Sequence, residues 1–144
     1  MNAPKLRWVA HASPEYNALV ELRRDVLRRP LGLDYTAAQL AAEDGQLHLG
    51  AWDGERAVGC LALLMGAGEA RMRQVAVASD AQRRGVGRLL VVESETAARR
   101  RGAARMTLHA RQSAVAFYER LGYRSEGEPF TEVGLPHRSM TKTL

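Results

Sequence analysis

A single cysteine, Cys60, is present in 144 residues, so no disulfide can form within the chain. That usage fits a reducing compartment, and a cytoplasmic location is the expectation. Cys60 sits in the apolar run "AVGCLALL", where a buried, unreactive thiol is preferred over a nucleophile. There is no C-x-x-C and no H-E-x-x-H, and the four histidines are scattered, so no metal site is expected. Long apolar runs are missing too. Nothing approaches the roughly 18 to 20 residues that cross a bilayer, and the opening "MNAPKLRWVAHASPEY" has no signal-peptide core. No membrane partner is therefore expected. Repeats, low-complexity tracts and linkers are also absent, which suits one domain over residues 1–144.

Negative charge is in short supply. Lysine and arginine number 21 against 16 acidic residues, a formal net charge of +5 carried by arginine. Such a balance favours anionic partners, with nucleic acid and a phosphorylated cofactor as the two sharp candidates. A nucleic-acid module needs a basic stripe interleaved with exposed aromatics, or a known reading motif. Aromatics are only 6%, and the arginines gather at one loop and at one helix end, so no nucleic-acid partner is expected.

The pattern along the chain predicts a mixed α/β (α+β) fold. "LRWVAH" reads as a strand. "SPEYNALVELRRDVL" opens a helix with Ser13 as N-cap and Pro14 at the first helical position, and Leu19, Leu22 and Val26 form its apolar stripe. Pro30 and Gly32 break it, and "TAAQLAAED" forms a second, short helix. Residues 47–78 read as three antiparallel strands turned at Asp53-Gly54 and at "GAG". A helix follows, with Val86, Leu89, Leu90 and Ala97 on its apolar face and Arg99, Arg100 and Arg101 in its last turn. "ARMTLHA" is a strand, "SAVAFYERLGY" a short helix whose core stripe is Ala114, Phe117 and Leu121, and the tail two strands around "GLP". The order β-α-α-βββ-α-β-α-ββ contains one β-α-β crossover.

The loop "SDAQRRGVGRLL" carries the first chemical signal. A strand running into a helix N-terminus leaves backbone N–H groups unpaired, and the helix dipole adds a positive end there. Gly85 and Gly87 let an anion approach closely, and Arg83, Arg84 and Arg88 add charge. It is not a Walker loop, because no G-K-S/T follows. Nor is it a dinucleotide fingerprint, because position 90 is Leu where a third small residue belongs.

The string "QRRGVGRLL" fits Q/R-x-x-G-x-G/A and resembles the pyrophosphate loop of the GNAT superfamily of N-acetyltransferases. Residues 106–123, "MTLHARQSAVAFYERLGY", resemble that family's second motif, A-x-x-F-Y-x-x-x-G-F/Y, through Ala114, Phe117, Tyr118, Gly122 and Tyr123. The tail "FTEVGLPHRSMTK" is similar to that of a small bacterial subgroup ending F-x-E-x-G-I-P-H-x-x-M-x-K.

The resemblance implies a mostly antiparallel central sheet with a splayed central strand pair, flanked by about four helices. It implies acetyl-CoA as co-substrate and direct transfer of acetyl to an amine of a small molecule or a peptide. Pantetheine would lie along Val75, Ala76 and Val77, and the pyrophosphate on the amides of Arg83, Arg84, Gly85, Val86, Gly87 and Arg88, with Gln82 a further cofactor-binding candidate. Ala114, Phe117 and Tyr118 would complete the cofactor site, with Tyr118 protonating the leaving thiolate. The base is open among Glu132, His137 and His109, or a water chain; Glu132 and His137 are favoured because the "EVGLPH" turn matches the subgroup. His109 is otherwise a substrate-binding candidate, with Gln74 and Arg28. The basic loop at Arg28, Arg29 and Pro30 departs from the acidic, Gln-containing loop of some relatives and points to an acidic or carboxylate-bearing acceptor, or to a plain solvated loop. A homodimer through the C-terminal strands is compatible with the family. The alternative function is a catalytically silent CoA-binding regulatory domain, separated from the enzyme by thiol release.

Overall fold

A computed structural model of the chain describes residues 3–144. Seven strands form one sheet in the order β1-β2-β3-β4-β5-β7-β6. They span Lys5–Val9 (β1), Leu47–Asp53 (β2), Arg56–Met65 (β3), Glu69–Val77 (β4), Arg105–Arg111 (β5), Arg124–Glu132 (β6) and Leu135–Thr143 (β7). Only β4 and β5 run parallel; every other neighbouring pair is antiparallel. The helices are Pro14–Arg23 (α1), Ala37–Ala41 (α2), Val86–Arg100 (α3) and Val115–Arg120 (α4).

Local chemistry sets the element ends. Ser13 caps α1 by accepting from the Tyr16 amide, with Pro14 behind it, as the sequence predicts. Thr36 and Gln39 close a capping box on α2. The first helix does not simply stop, however. It widens into a π-helical turn over Arg24–Arg28 and ends in a tight turn at Arg29–Leu31. The final hairpin turns on Val133 and Gly134, both at positive φ, so Leu135 and Pro136 belong to β7 rather than to the turn.

The two faces of the sheet are filled by different helices. A Cβ at Gly59 would strike Val86 and Leu90, so that side of β3 meets α3. The adjacent Cys60 points the other way, with its thiol towards the Leu19 carbonyl of α1. Strand alternation then puts Met72, Met106, Leu108 and Ala110 on the α3 face, and Arg71, His109 and Arg111 on the α1 face. Cys60 is fully buried, and that burial pushes its thiol up to about 12. Two expectations about apolar stripes change. Leu89 is 42% exposed, because α3 buries the arc through Val86, Leu90, Val91, Ala97 and Ala98 and Leu89 falls beside it. In α4 the deepest residue is Tyr118 rather than Ala114, Phe117 or Leu121.

Beneath α1 lies a buried ion pair. Arg23 donates to both carboxylate oxygens of Glu43, at 2.7 and 2.6 Å. Tyr16 donates to the same carboxylate at 2.8 Å, and Tyr35 stands over Arg23 and donates to Gln74 at 2.8 Å. Burial works to raise the Glu43 carboxyl, but the hydrogen bonds and charge of Arg23 hold it below the usual carboxylate range. A second buried acid, Glu95 of α3, is held by Tyr123 at 2.8 Å and Lys142 at 3.1 Å, which ties the last strand to the helix.

Glu43→Gln leaves Arg23 buried without a counter-charge and should cost about 3–5 kcal/mol in urea unfolding, whereas Arg23→Met with Glu43→Leu should cost far less. The Glu43 contribution is present above its unfolded pKa of about 4.3 and is lost as pH falls through its lower folded value. Wild-type stability should therefore drop more steeply below that pH than the stability of Glu43→Gln.

Candidate active site

The β4–β5 ladder is short. It pairs Glu69–Met72 with Arg105–Leu108 and then ends, although β4 runs on to Val77 and β5 to Arg111. The reason lies in β4. Gln74 sits at φ 57°, and the register to β3 shifts between Cys60 and Ala62. This bulge bends β4 away from β5 and leaves a wedge with backbone groups on both edges. Val75, Ala76 and Val77 form one edge of the wedge, and His109, Ala110 and Arg111 the other.

At the wide end of the wedge β4 passes through a tight turn, Ser79–Ala81, into the glycine loop. Arg83 at φ 64° and Gly85 at φ 81° both take the left-handed conformation, so successive amides turn to one side. Gly85 is the N-cap of α3 and offers no capping side chain, and the first helical bond runs from the Leu89 amide to the Gly85 carbonyl. The amides of Val86, Gly87 and Arg88 thus remain at the positive end of a helix of 15 residues. Arg83, Arg84 and Arg88 are exposed around them. The Gln82 side chain donates to the Val77 carbonyl at 3.1 Å and pins the loop to the strand.

The two sequence motifs meet here. A Cβ on Gly87 would lie 3.1 Å from the Phe117 ring and 3.7 Å from Val77. Gly87 is small so that α4 can close on α3. Tyr118, next to Phe117, is 6% exposed and shares a core cluster with Leu108, Ala110, Val75 and Val77. Burial alone pushes its phenol above the usual range, and among the described residues its hydroxyl has no hydrogen-bond partner. Ala114 is half-buried at the start of α4.

The opposite, α1 face of the wedge carries the other candidates. His109 follows directly on the last β4-paired residue of β5. Its Nδ1 lies 2.9 Å from Glu132, and His137 Nε2 lies 3.6 Å from the same carboxylate. Arg71 Nη2 is 2.8 Å from both His109 nitrogens; with Nδ1 donating to Glu132, Nε2 is the one left to accept. Phe130 packs edge-on against His109 at 4.8 Å. Partial burial works to raise Glu132, but the His109 hydrogen bond and the electrostatic influence of the His109, His137 and Arg71 side chains hold its carboxyl below the usual range. Gln74 is reached by Tyr35, and Arg28 stacks over that same ring at 4.6 Å.

The structure therefore brings the predicted residues into two groups on either side of one gap: the loop, Phe117 and Tyr118 on the α3 face, and Gln74, His109, Glu132, His137 and Arg28 on the α1 face. Sequence reasoning missed Tyr35, Arg71 and Arg111; Arg111 falls within the stretch 106–123 but at none of the positions that define its motif. Only their convergence in space marks them.

A family model described as an acetyltransferase (GNAT) domain matches residues 31–144. The chain belongs to the GNAT acetyltransferase family. It is 35% identical over 102 residues to the uncharacterized N-acetyltransferase YjcF of Bacillus subtilis (strain 168), a match covering 69% of this chain and 72% of that one. An acyl-CoA N-acyltransferase from Pseudomonas aeruginosa superposes with a TM-score of 0.83 at 25% identity, over 98% of this chain and 100% of that one. A GNAT family acetyltransferase from Elizabethkingia anophelis, with acetyl-CoA bound, shares the fold at a TM-score of 0.77 and 15% identity over the whole of both chains. Among the described residues no helix is long and apolar enough to cross a membrane.

The left-handed conformation at Gly85 sets one expectation. Gly85→Ala should cost about 1 kcal/mol of stability, because only glycine adopts positive φ freely. The check is the urea midpoint of the variant against wild type, since open space around the Cβ leaves no clash to confuse the reading.

Proposed function

We propose that the protein is an acetyl-CoA-dependent N-acetyltransferase that moves the acetyl group directly to an amine of a small molecule or peptide. The observation that carries this reading is the alignment of the β4–β5 gap with the uncapped start of α3. The gap suits a pantetheine arm, the amides from Arg83 to Arg88 suit a pyrophosphate, and the related fold from E. anophelis binds acetyl-CoA. Val75 and Val77 offer backbone groups along the arm, with an amide near Val75 for the thioester oxygen as charge builds on it.

The chemistry divides between the two faces. The amine nitrogen attacks the thioester carbonyl carbon from the α1 face and forms the new N–C bond. The C–S bond breaks towards the α3 face, and Tyr118 gives its proton to the leaving sulfur. The proton shed by the amine passes to Glu132, directly or through one water. Glu132 is ionised at neutral pH, as a carboxylate at or below its usual range is, and its oxygens are able to accept a proton. His109 orients that carboxylate through its Nδ1 hydrogen bond, and His137, held by the Leu135 carbonyl, stands beside it at 3.6 Å. Burial favours the neutral phenol of Tyr118, so its proton is in place to give at neutral pH. Cys60 is sealed in the core beneath α1, which supports direct transfer over an acyl-cysteine intermediate.

The deciding experiment is thiol release from acetyl-CoA against a panel of amines and peptides. Acetyl-CoA alone should raise the melting temperature, because a ligand of the folded state stabilises it. Gly87→Glu should remove that rise by placing bulk and negative charge among the amides. A rise with no thiol release for any amine would instead identify a silent CoA-binding domain.

Two variants separate the protons. Tyr118→Phe should lower kcat by about 10- to 100-fold while the acetyl-CoA Kd holds. Glu132→Gln should lower kcat at pH 7 by about 100-fold and move the remaining activity to higher pH, where the amine is already neutral.

A further inference from the structure

Four arginines lie between residues 23 and 29, and three of them are paired. Arg23 holds Glu43, Arg24 holds Asp34 and Glu21, and Arg29 holds Glu21 and Asp25. Arg28 is the exception. Its Nη1 donates to the Leu27 carbonyl at 3.3 Å, and Arg111 Nη2 donates to the same oxygen at 2.8 Å. Two half-buried guanidiniums from different elements therefore converge on one neutral acceptor, and neither forms an ion pair among the described residues. Burial first, and then the Arg28 charge, works against the charged form of Arg111.

Their position is fixed from both sides. Arg28 rests on the Tyr35 ring, whose hydroxyl donates to Gln74 at the bulge that opens the sheet. Arg111 stands two residues beyond His109 on the same face of β5 and pairs in register with His137 of β7. The π-helical turn over Arg24–Arg28 is what carries Arg28 over to this side, and such widened turns are recurrent at functional sites. Glu132, His109 and the end of the β4–β5 ladder lie along the same face.

We infer that Arg28 and Arg111 form a binding site for a carboxylate, and that the acceptor is an amine carrying its own carboxylate, such as a free amino acid. The inference rests on the acetyl-transfer reading above. A carboxylate between the two guanidiniums would relieve their repulsion and accept charge-assisted hydrogen bonds from both. It would also orient the amine of the same molecule towards the gap, with Glu132 on the same face to receive the proton.

The test compares free amino acids and short ω-amino acids with their own carboxamides, by thiol release from acetyl-CoA. The acids should exceed the matching amides by about ten-fold or more in kcat/KM, the scale of a charge-assisted hydrogen bond. Arg28→Gln should bring that ratio close to one, with acetyl-CoA affinity unchanged. Arg111→Lys, which keeps a charge and a donor, should give an intermediate ratio. Amides turned over as well as acids by wild type would overturn the inference and leave the acetyltransferase reading standing. Weaker acetyl-CoA binding by Arg28→Gln would also overturn it, assigning the arginine pair to a coenzyme phosphate. Thiol release from neither series, with release from another amine or peptide, would overturn the inference alone; release from no amine or peptide at all, with acetyl-CoA binding intact, would overturn the amine-acetylating reading with it.

Discussion

The buried pair of Arg23 and Glu43 is the constraint on which the α1 face depends. Charges removed from water are costly unless each lone pair and proton is used, and here almost all are. Glu43 takes two bonds from Arg23 and one from Tyr16, and the Arg23 guanidinium also lies under Tyr35. The chain of contacts from Tyr16 through Glu43, Arg23 and Tyr35 to Gln74 crosses from the core of the helical layer to the opening of the sheet. Directional bonds of this kind fix a position better than apolar contact does. The segment around Arg28 inherits its place from that chain, not from any strand or long helix.

The opening itself is a local defect with a large effect. One residue at positive φ in β4, Gln74, ends a parallel ladder after four pairs. The thiol of Cys60 lies 3.6 Å from the Gln74 carbonyl and caps it weakly from the neighbouring strand. Everything the site needs then follows from two edges that no longer pair. The α3 face offers amides and an apolar wall, and the α1 face offers charge and imidazole. The glycine loop and α4 are held together because Gly87 has no side chain to keep Phe117 away.

Much of this was legible beforehand because it is written in short-range chemistry. Ser13 and Pro14 announce a helix start, Asp53-Gly54 a hairpin, and Gly85 and Gly87 an open helix N-terminus. The F-Y pair at 117 and 118 and the turn after Glu132 come to lie on the two faces of the β4–β5 gap. What could not be read depends on contacts across long sequence separations. Leu27 and Arg111 are 84 positions apart, and nothing in either segment signals the other. The bulge at Gln74 leaves no mark, since glutamine is not a residue that asks for positive φ. Helical spacing picked Ala114, Phe117 and Leu121 and passed over Tyr118, because a helix of six residues buries whichever side its neighbours demand.

The gap in the sheet faces different elements on its two sides, α3 and α4 on one and the Arg28 turn on the other, and in an acyl transfer across it this would bear on traffic as well as on chemistry. Two molecules that meet in a slit from opposite sides do not block each other's exit. Either product could leave while the other stayed, and a fresh donor could enter behind a waiting acceptor. A pocket with one mouth enforces an order of arrival; a partition with a slot imposes only a meeting point.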